Sequence, residues 1–349
     1  MNRRKGIAVL GAIIVLVCCI AGYFYYRHTP TYTLHLIQES VQKHDWDTFS
    51  KHVDTKNLVG TSFDVIVKVS LEDETADDDL SAIAGNFIQM MKPGIVNALD
   101  QDIEQWVKTG NLDNENKQNN KTANSKQANS NDAARNIAKD VNVNKMTFKD
   151  VGTVTKHDDG TADVDINITD NQLQQDFTLT LRMRQLDDGT WQVMAITNLE
   201  DYLKKDKQAR EEKLAEINKP LQEEIDKRIA LQTPTGNVVS NDPWGFSSVL
   251  RVSATAVIDS DDKPISKVAG VIRIENGKGK ASETKFEAPI TTNNGNQSIV
   301  QDKKLNPFFK MDKSIIKHGL DGYQLKLQVQ KIEFQDGSTL ELKQSLDDK

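Results

Sequence analysis

The sequence predicts a membrane-anchored chain carrying two folds. These are an N-terminal transmembrane helix, an α+β domain with helices on a curved antiparallel sheet, and a C-terminal all-β sandwich. Three observations carry this expectation. Ile7 to Tyr26 is a run of twenty residues without a charge. Between Leu34 and Val107 apolar residues recur at helical spacing, and after Val141 the period changes to two. From Leu250 to Leu342 the alternation repeats in short runs divided by turn residues, the pattern of an all-β domain.

Twenty apolar residues in a helix rise about 30 Å, the thickness of a bilayer's hydrocarbon core. Arg3, Arg4 and Lys5 precede the run, and Tyr23, Phe24, Tyr25 and Tyr26 close it, where an aromatic belt sits at the headgroups. The basic start predicts a cytoplasmic N-terminus, with everything from His28 onward outside the cytoplasm. The competing reading is a cleaved signal peptide with Ala21 or Gly22 before the cut. The run exceeds the usual signal core and ends in bulky aromatics, which favours an anchor. Lipidation at Cys18 or Cys19 lacks the small residue that should precede the cysteine. Both cysteines of the chain lie inside the run, so the remainder holds its fold without disulfides.

The whole chain of 349 residues carries −7; residues 1–27 hold +4, which leaves −11 on the rest. Such an acidic surface repels nucleic acid and anionic lipid.

Leu34, Ile37 and Val41, then Trp46, Phe49 and Val53, each follow i, i+3, i+7, with Asp45 placed to cap a second helix. The spacing of His35, His44 and His52 is not that of metal ligands, and surface histidines are expected. A third helical segment runs from Leu58 to Val69. The acidic run Glu72 to Asp79 lacks the alternating ligands and central glycine of a calcium loop, so a solvated loop is expected. Leu80 to Val107 is the longest helical pattern, with Pro93 expected to kink it or split it in two and Gly110 to stop it. Residues 111–132 contain eight asparagines and one large apolar residue, too little to offset the entropy of ordering, so a disordered insert is expected.

The strands follow. Val143 to Thr155 predicts one strand with an irregularity. Val164, Ile166 and Ile168 predict a second, and Phe177, Leu179, Leu181 and Met183 a third. Asp188-Gly189 is a hairpin turn into Trp191, Val193 and Ala195. One apolar and one polar face per strand predicts an antiparallel sheet packed on the helices. On the helix order and the Asp188-Gly189-Thr190-Trp191-Gln192-Val193 hairpin, the region 31–203 resembles the nuclear-transport-factor-2-like (cystatin-like) superfamily. Asp45-Trp46-Asp47-Thr48-Phe49 and His52-Val53-Asp54 are similar to a bacterial domain-of-unknown-function family of membrane-anchored exported proteins. The resemblance implies a cone-shaped pocket, in which the superfamily's enzymes place Asp or His. No position here matches those residues, so no catalytic role carries over. Trp46, Phe49, Trp106 and Trp191 are the candidate lining or filling of that cone.

Leu199 to Gln232 reads as a charged helix with Leu214, Ile217, Leu221, Ile225 and Ile229 along one side, bent or divided at Pro220 and ended by Thr233-Pro234-Thr235-Gly236. Beyond it, Leu250 to Ile258, Val268 to Ile274 and Tyr323 to Val329 alternate, and the phase slip to Ile332 and Phe334 predicts a β-bulge. The Val268 to Asn276 run, with Asn306-Pro307-Phe308, is similar to bacterial immunoglobulin-like exported domains. The expected division is 1–28 tip and anchor, 29–203 α+β domain, 204–237 helical linker, and 238–349 a β-sandwich folding by itself.

There is no phosphate-cradling glycine loop, nucleophile elbow or zinc-type Cys/His spacing; Asn276-Gly277-Lys278-Gly279-Lys280 lacks the phosphate-loop pattern and reads as a basic turn. The expectation is a non-enzymatic, single-pass protein of the cell membrane, anchored through Ile7 to Tyr26, with no cofactor and no metal. Its exported domains are expected to bind an envelope protein or wall component, or to act as an assembly module, and not to bind nucleic acid. The alternative is a small-ligand binder or enzyme using the pocket of the α+β domain.

Overall fold

The computed structural model describes residues 25–73, 78–111, 145–239, 246–260, 262–277 and 281–347. The expected span lies outside these except for Tyr25 and Tyr26, and the asparagine-rich insert except for Asn111. Parts of the acidic run and of the basic turn near Lys278 also lie outside. Among the described residues no helix is long and apolar enough to cross a membrane. The fold is mixed α+β, and the chain divides into two compact units. One comprises Met1–Ser70 with Gly85–Asp206, the other Leu71–Ala84 with Lys207–Lys349.

In the first unit, α1 (Pro30–Gln42) starts where the Thr29 side chain accepts from the Tyr32 N–H, with Pro30 in the first turn, where its missing donor costs nothing. Helix α2 (Trp46–His52) begins at Asp45, whose carboxylate accepts the Thr48 N–H at 3.0 Å, the cap expected from the sequence. Helix α3 (Thr55–Asp73) follows, and α4 (Asp78–Thr109) runs through Pro93 as one helix. An interior proline costs roughly 3 kcal/mol, and burying Ile95 and Val107 on the same helix offsets it. Gly110 ends α4, its N–H bonded to the Trp106 carbonyl at 2.7 Å.

Strands β1 (Met146–Lys156), β2 (Thr161–Asp170), β3 (Gln175–Gln185) and β4 (Trp191–Ile196) form an antiparallel meander in sequence order. The register of β1 on β2 slips after Phe148 and again after Val151, the irregularity foreseen for this strand. One face buries Ala162, Val164, Met183, Trp191 and Val193, against which Leu34, Ile37 and Leu58 pack from the helices. The other face is a lattice of polar pairs. Arg182 grips Asp163 in two bonds of 2.5 and 2.9 Å, Thr180 donates to Asp165, and Asn167 links Asp150 to Thr178. The guanidinium holds the Asp163 carboxyl below its ordinary range, against the opposing effect of burial.

Helix α5 (Leu199–Arg228) is continuous through Pro220 and leads straight into β5 (Ile229–Leu231) and β6 (Thr235–Val239). This corrects the expected helical linker of 204–237, which is neither all helical nor merely a connection. Ile225 and Ile229 are fully buried in the core of the second unit, and both short strands pair with β7 (Val249–Asp259). The C-terminal part of the stripe read as a spacer's narrow apolar face, Leu221, Ile225 and Ile229, is an edge of that core, while Ile217 is exposed. Pro234 has no N–H to give a ladder, and it falls in the gap between the two strands.

The remaining strands are β8 (Ile265–Asn276), β9 (Ala281–Pro289), β10 (Asn294–Lys304), β11 (Tyr323–Phe334) and β12 (Thr339–Glu341). They complete two four-stranded antiparallel sheets. One runs β10-β7-β5 with β6 also on β7, the other β12-β11-β8-β9. Leu250, Val252 and Ile258 from one meet Ile265, Ile272, Ile274 and Ile332 from the other in a single cluster. The foreseen bulge lies between Val329 and Lys331, opposite Gly270. A Cβ at Gly270 would sit 1.9 Å from the Gln328 carbonyl oxygen, so only glycine admits this approach.

A short helix that the strand pattern did not suggest, α6 (Lys310–His318), follows β10. It is fixed by a buried ion pair, Lys303 to Asp312 at 3.0 Å with both side chains 7% exposed, and Asp312 also accepts the Asn306 N–H at 2.9 Å.

Candidate functional site

Part of the stretch that carried the family resemblance, His52-Val53-Asp54 and the 188–193 hairpin, meets at one place, the edge of β4. A strand edge presents unpaired N–H and C=O groups that must find partners when covered. Here the helices supply them. The Trp191 N–H donates to Thr33 Oγ1 at 3.0 Å, and His52 Nδ1 donates to the Trp191 carbonyl at 2.9 Å. The Asp54 N–H reaches the Val193 carbonyl at 2.9 Å, beside a parallel bridge between Val53 and Val193. Asn57 Nδ2 donates to the Met194 carbonyl at 3.1 Å. His52 is therefore 3% exposed, which corrects its expected surface position. A buried carbonyl at the sheet edge needs a donor there.

The hairpin is tied to the same helices. Lys51 pairs with Asp188, and Gln192 Nε2 donates to the Lys51 carbonyl at 3.0 Å. The Lys51 ammonium, then the Thr190 hydroxyl and N–H, hold the Asp188 carboxyl far below its ordinary range. Gly189 has φ of +80°, and a Cβ there would lie 1.8 Å from the His28 ring. The Trp191 indole N–H donates to the His28 carbonyl at 3.0 Å. The hairpin thus holds the chain two residues after the last residue of the uncharged run.

The four candidate pocket residues separate. Trp191 is 2% exposed in the sheet-side cluster, with Lys156 Nζ 5.6 Å from its ring. Phe49 is buried in a second cluster with Val53 and Val107, and Trp46 stacks on it at 5.7 Å. Trp106 is 39% exposed. Only Trp46 and Phe49 are brought together, and two grooves of this unit are lined by none of the four.

One groove, of about 370 Å³, lies between α3 and α4, with Asp64 and Lys92 paired across it at 2.6 Å. The other, of about 500 Å³, runs along α1 past Tyr26, Tyr32, His35, Leu36 and Glu39. Tyr26 meets Tyr32 edge-on at 5.3 Å, and the Arg27 guanidinium stands 5.9 Å from the Tyr32 ring. This groove was not singled out from the sequence. Its signal was present in Tyr32, His35, Leu36, Glu39 and Lys43, which share the face of α1 opposite Leu34 and Ile37.

His44 Nδ1 donates to the Val107 carbonyl at 2.8 Å, so two of the three histidines first weighed as metal ligands serve backbone groups. Among the described residues no group of three or more His, Cys, Asp or Glu is arranged to hold a metal. In comparison with known proteins, the chain matches no family model, no curated protein and no solved structure.

Proposed function

We propose that the protein is a single-pass, membrane-anchored extracytoplasmic binding module whose two units engage a protein or wall component of the cell envelope, without catalysis of their own. The observation that carries this reading is the join at His28. The uncharged run Ile7 to Tyr26 has the length of a span, and two residues later the chain is bonded to Trp191 and packed on Gly189. A module that is anchored without slack presents its surfaces at a set height above a membrane. Asp188, Gly189, Trp191 and His52 are occupied in building that join, a structural role that needs no chemistry from them.

The finer fold assignments belong to the same proposal. Helices followed by a four-stranded meander support a nuclear-transport-factor-2-like first domain. The strand order of the second unit supports an immunoglobulin-like sandwich. Its first, second and fifth strands share one sheet, counting β5 and β6 as one interrupted strand, and the third, fourth, sixth and seventh share the other. The groove along α1 favours a second reading, a small-ligand binder using the first domain.

Crosslinking in the native membrane, with captured partners identified, tests the binding role; recovery of no partner from any envelope fraction counts against it. Protease added outside intact spheroplasts should digest the chain beyond His28. Protection until lysis would reverse the orientation.

A further inference from the structure

We propose that the end of the second unit formed by Phe246, Phe308 and Phe309 is a docking surface for an anionic phospholipid bilayer. This goes beyond the anchor, because it assigns lipid contact to a part of the chain remote in sequence from the span.

The three phenylalanines are 57%, 76% and 38% exposed, and the rings of Phe246 and Phe308 lie 5.9 Å apart. They sit on two neighbouring loops. The ladder pairs Lys304 with Val249, which places the turn before β7 beside the loop that leaves β10. Phe309 is the N-cap of α6, so the aromatic group continues directly into that helix.

The segment that carries Phe308 and Phe309 is basic. From Lys303 to His318 the sequence holds five lysines and one aspartate, a local +4 on a chain whose exported part totals −11. The one aspartate, Asp312, is buried against Lys303. Lys310, Lys313 and Lys317 recur at i, i+3, i+7 on α6 and are exposed, while Ile315 on the opposite side is buried in the core. Lys304 is exposed at the end of β10.

Exposed rings followed along the chain by exposed lysines match the layered polarity of a bilayer surface, where aromatics enter the acyl boundary and ammonium groups stay with anionic headgroups. A protein partner of the same charge complement would be acidic, whereas the apolar contact here comes from projecting loops. The repulsion of anionic lipid expected from overall charge is thus reversed locally. Within a Debye length, the local charge governs.

The test uses the full chain with Cys18→Ser and Cys19→Ser and a nitroxide at Phe308→Cys, reconstituted in nanodiscs. Vesicles of phosphatidylcholine, with and without phosphatidylglycerol, are then added. The label should become inaccessible to an aqueous nickel chelate and accessible to oxygen only where phosphatidylglycerol is present. A control label at the exposed Lys227→Cys should stay in water. Adding Lys310→Glu and Lys313→Glu should weaken the effect roughly tenfold or more, since each basic residue near an anionic surface contributes several-fold. A label that stays in water with both lipids overturns the proposal. So does equal protection on both, or protection only in native membranes, which would indicate a protein partner. Whether Ile7 to Tyr26 spans the disc is read separately by protease, so the two readings fail independently.

Discussion

The two units are held together in different ways. Among the described residues the second unit has one continuous core of twenty buried residues, shared by two sheets, α5 and α6. In the first, clusters of five and three stand beside further buried residues such as Phe63, Ile95, Phe177 and Tyr202, and its helices also meet its sheet through a file of hydrogen bonds at the β4 edge. Burial is non-directional and scales with area, so the second unit tolerates local change as long as volume is kept. Hydrogen bonds at a covered edge are directional, and each lost partner strands a buried group. A sequence motif that looks like a functional signature can therefore be a joint between helices and sheet.

The sharpest way to break the comparison is truncation. The sequence boundary suggested that 238–349 folds alone, but that fragment lacks Ile225, Ile229, β5 and three of the five residues of β6. It should be molten or aggregate, whereas 207–349 should be soluble and unfold in one cooperative transition, as monitored by circular dichroism and calorimetry. Cooperative melting of 238–349 would show that α5 is dispensable to the core.

Next in size is the buried pair of Lys303 and Asp312 in the second unit. Asp312→Ala should cost about 3–5 kcal/mol in denaturant unfolding, because it leaves Lys303 buried and unpaired. Replacing both partners, Lys303→Met with Asp312→Leu, should recover most of that loss.

In the first unit, Gly189→Ala should cost about 2 kcal/mol or more, from a strained positive φ and a clash with the His28 ring. Only the first unit's transition should move. His52→Phe keeps the ring volume but removes the donor to the Trp191 carbonyl, and about 1–3 kcal/mol should be lost from the same transition. An unchanged melting point in either variant would mean that the β4 joint contributes little.

The smallest expected effect concerns acid. Lys204 and then Lys68 bond Glu200 and lower its pKa from 4.5 to about 2. A depressed carboxylate stabilises the folded state above its unfolded pKa, and that contribution disappears as pH falls from about 4.5 toward 2. Glu200 is half-buried at the surface with its lysine partners open to solvent, so the change should be modest and salt-sensitive. Glu200→Gln should flatten this part of the first unit's melting curve against pH.

The sequence alone determined the features that depend on neighbours along the chain. Asp45 as a cap, Gly110 as a stop, the period change before β1, the Asp188-Gly189 turn and the slip near Val329 all arise within a few residues, where backbone geometry and alternation act. Tertiary structure decided the rest. Pro93 and Pro220 stay inside unbroken helices because burial elsewhere on those helices outweighs a local penalty. His52 is buried because a carbonyl 139 positions away needs its proton. Trp106 and Trp191 part from Trp46 and Phe49 because ring content says nothing of which cluster a ring joins. Residues 221–239 join the second core because β7 had an open edge to fill, and which strand will fill an edge is settled only when the chain meets itself in space.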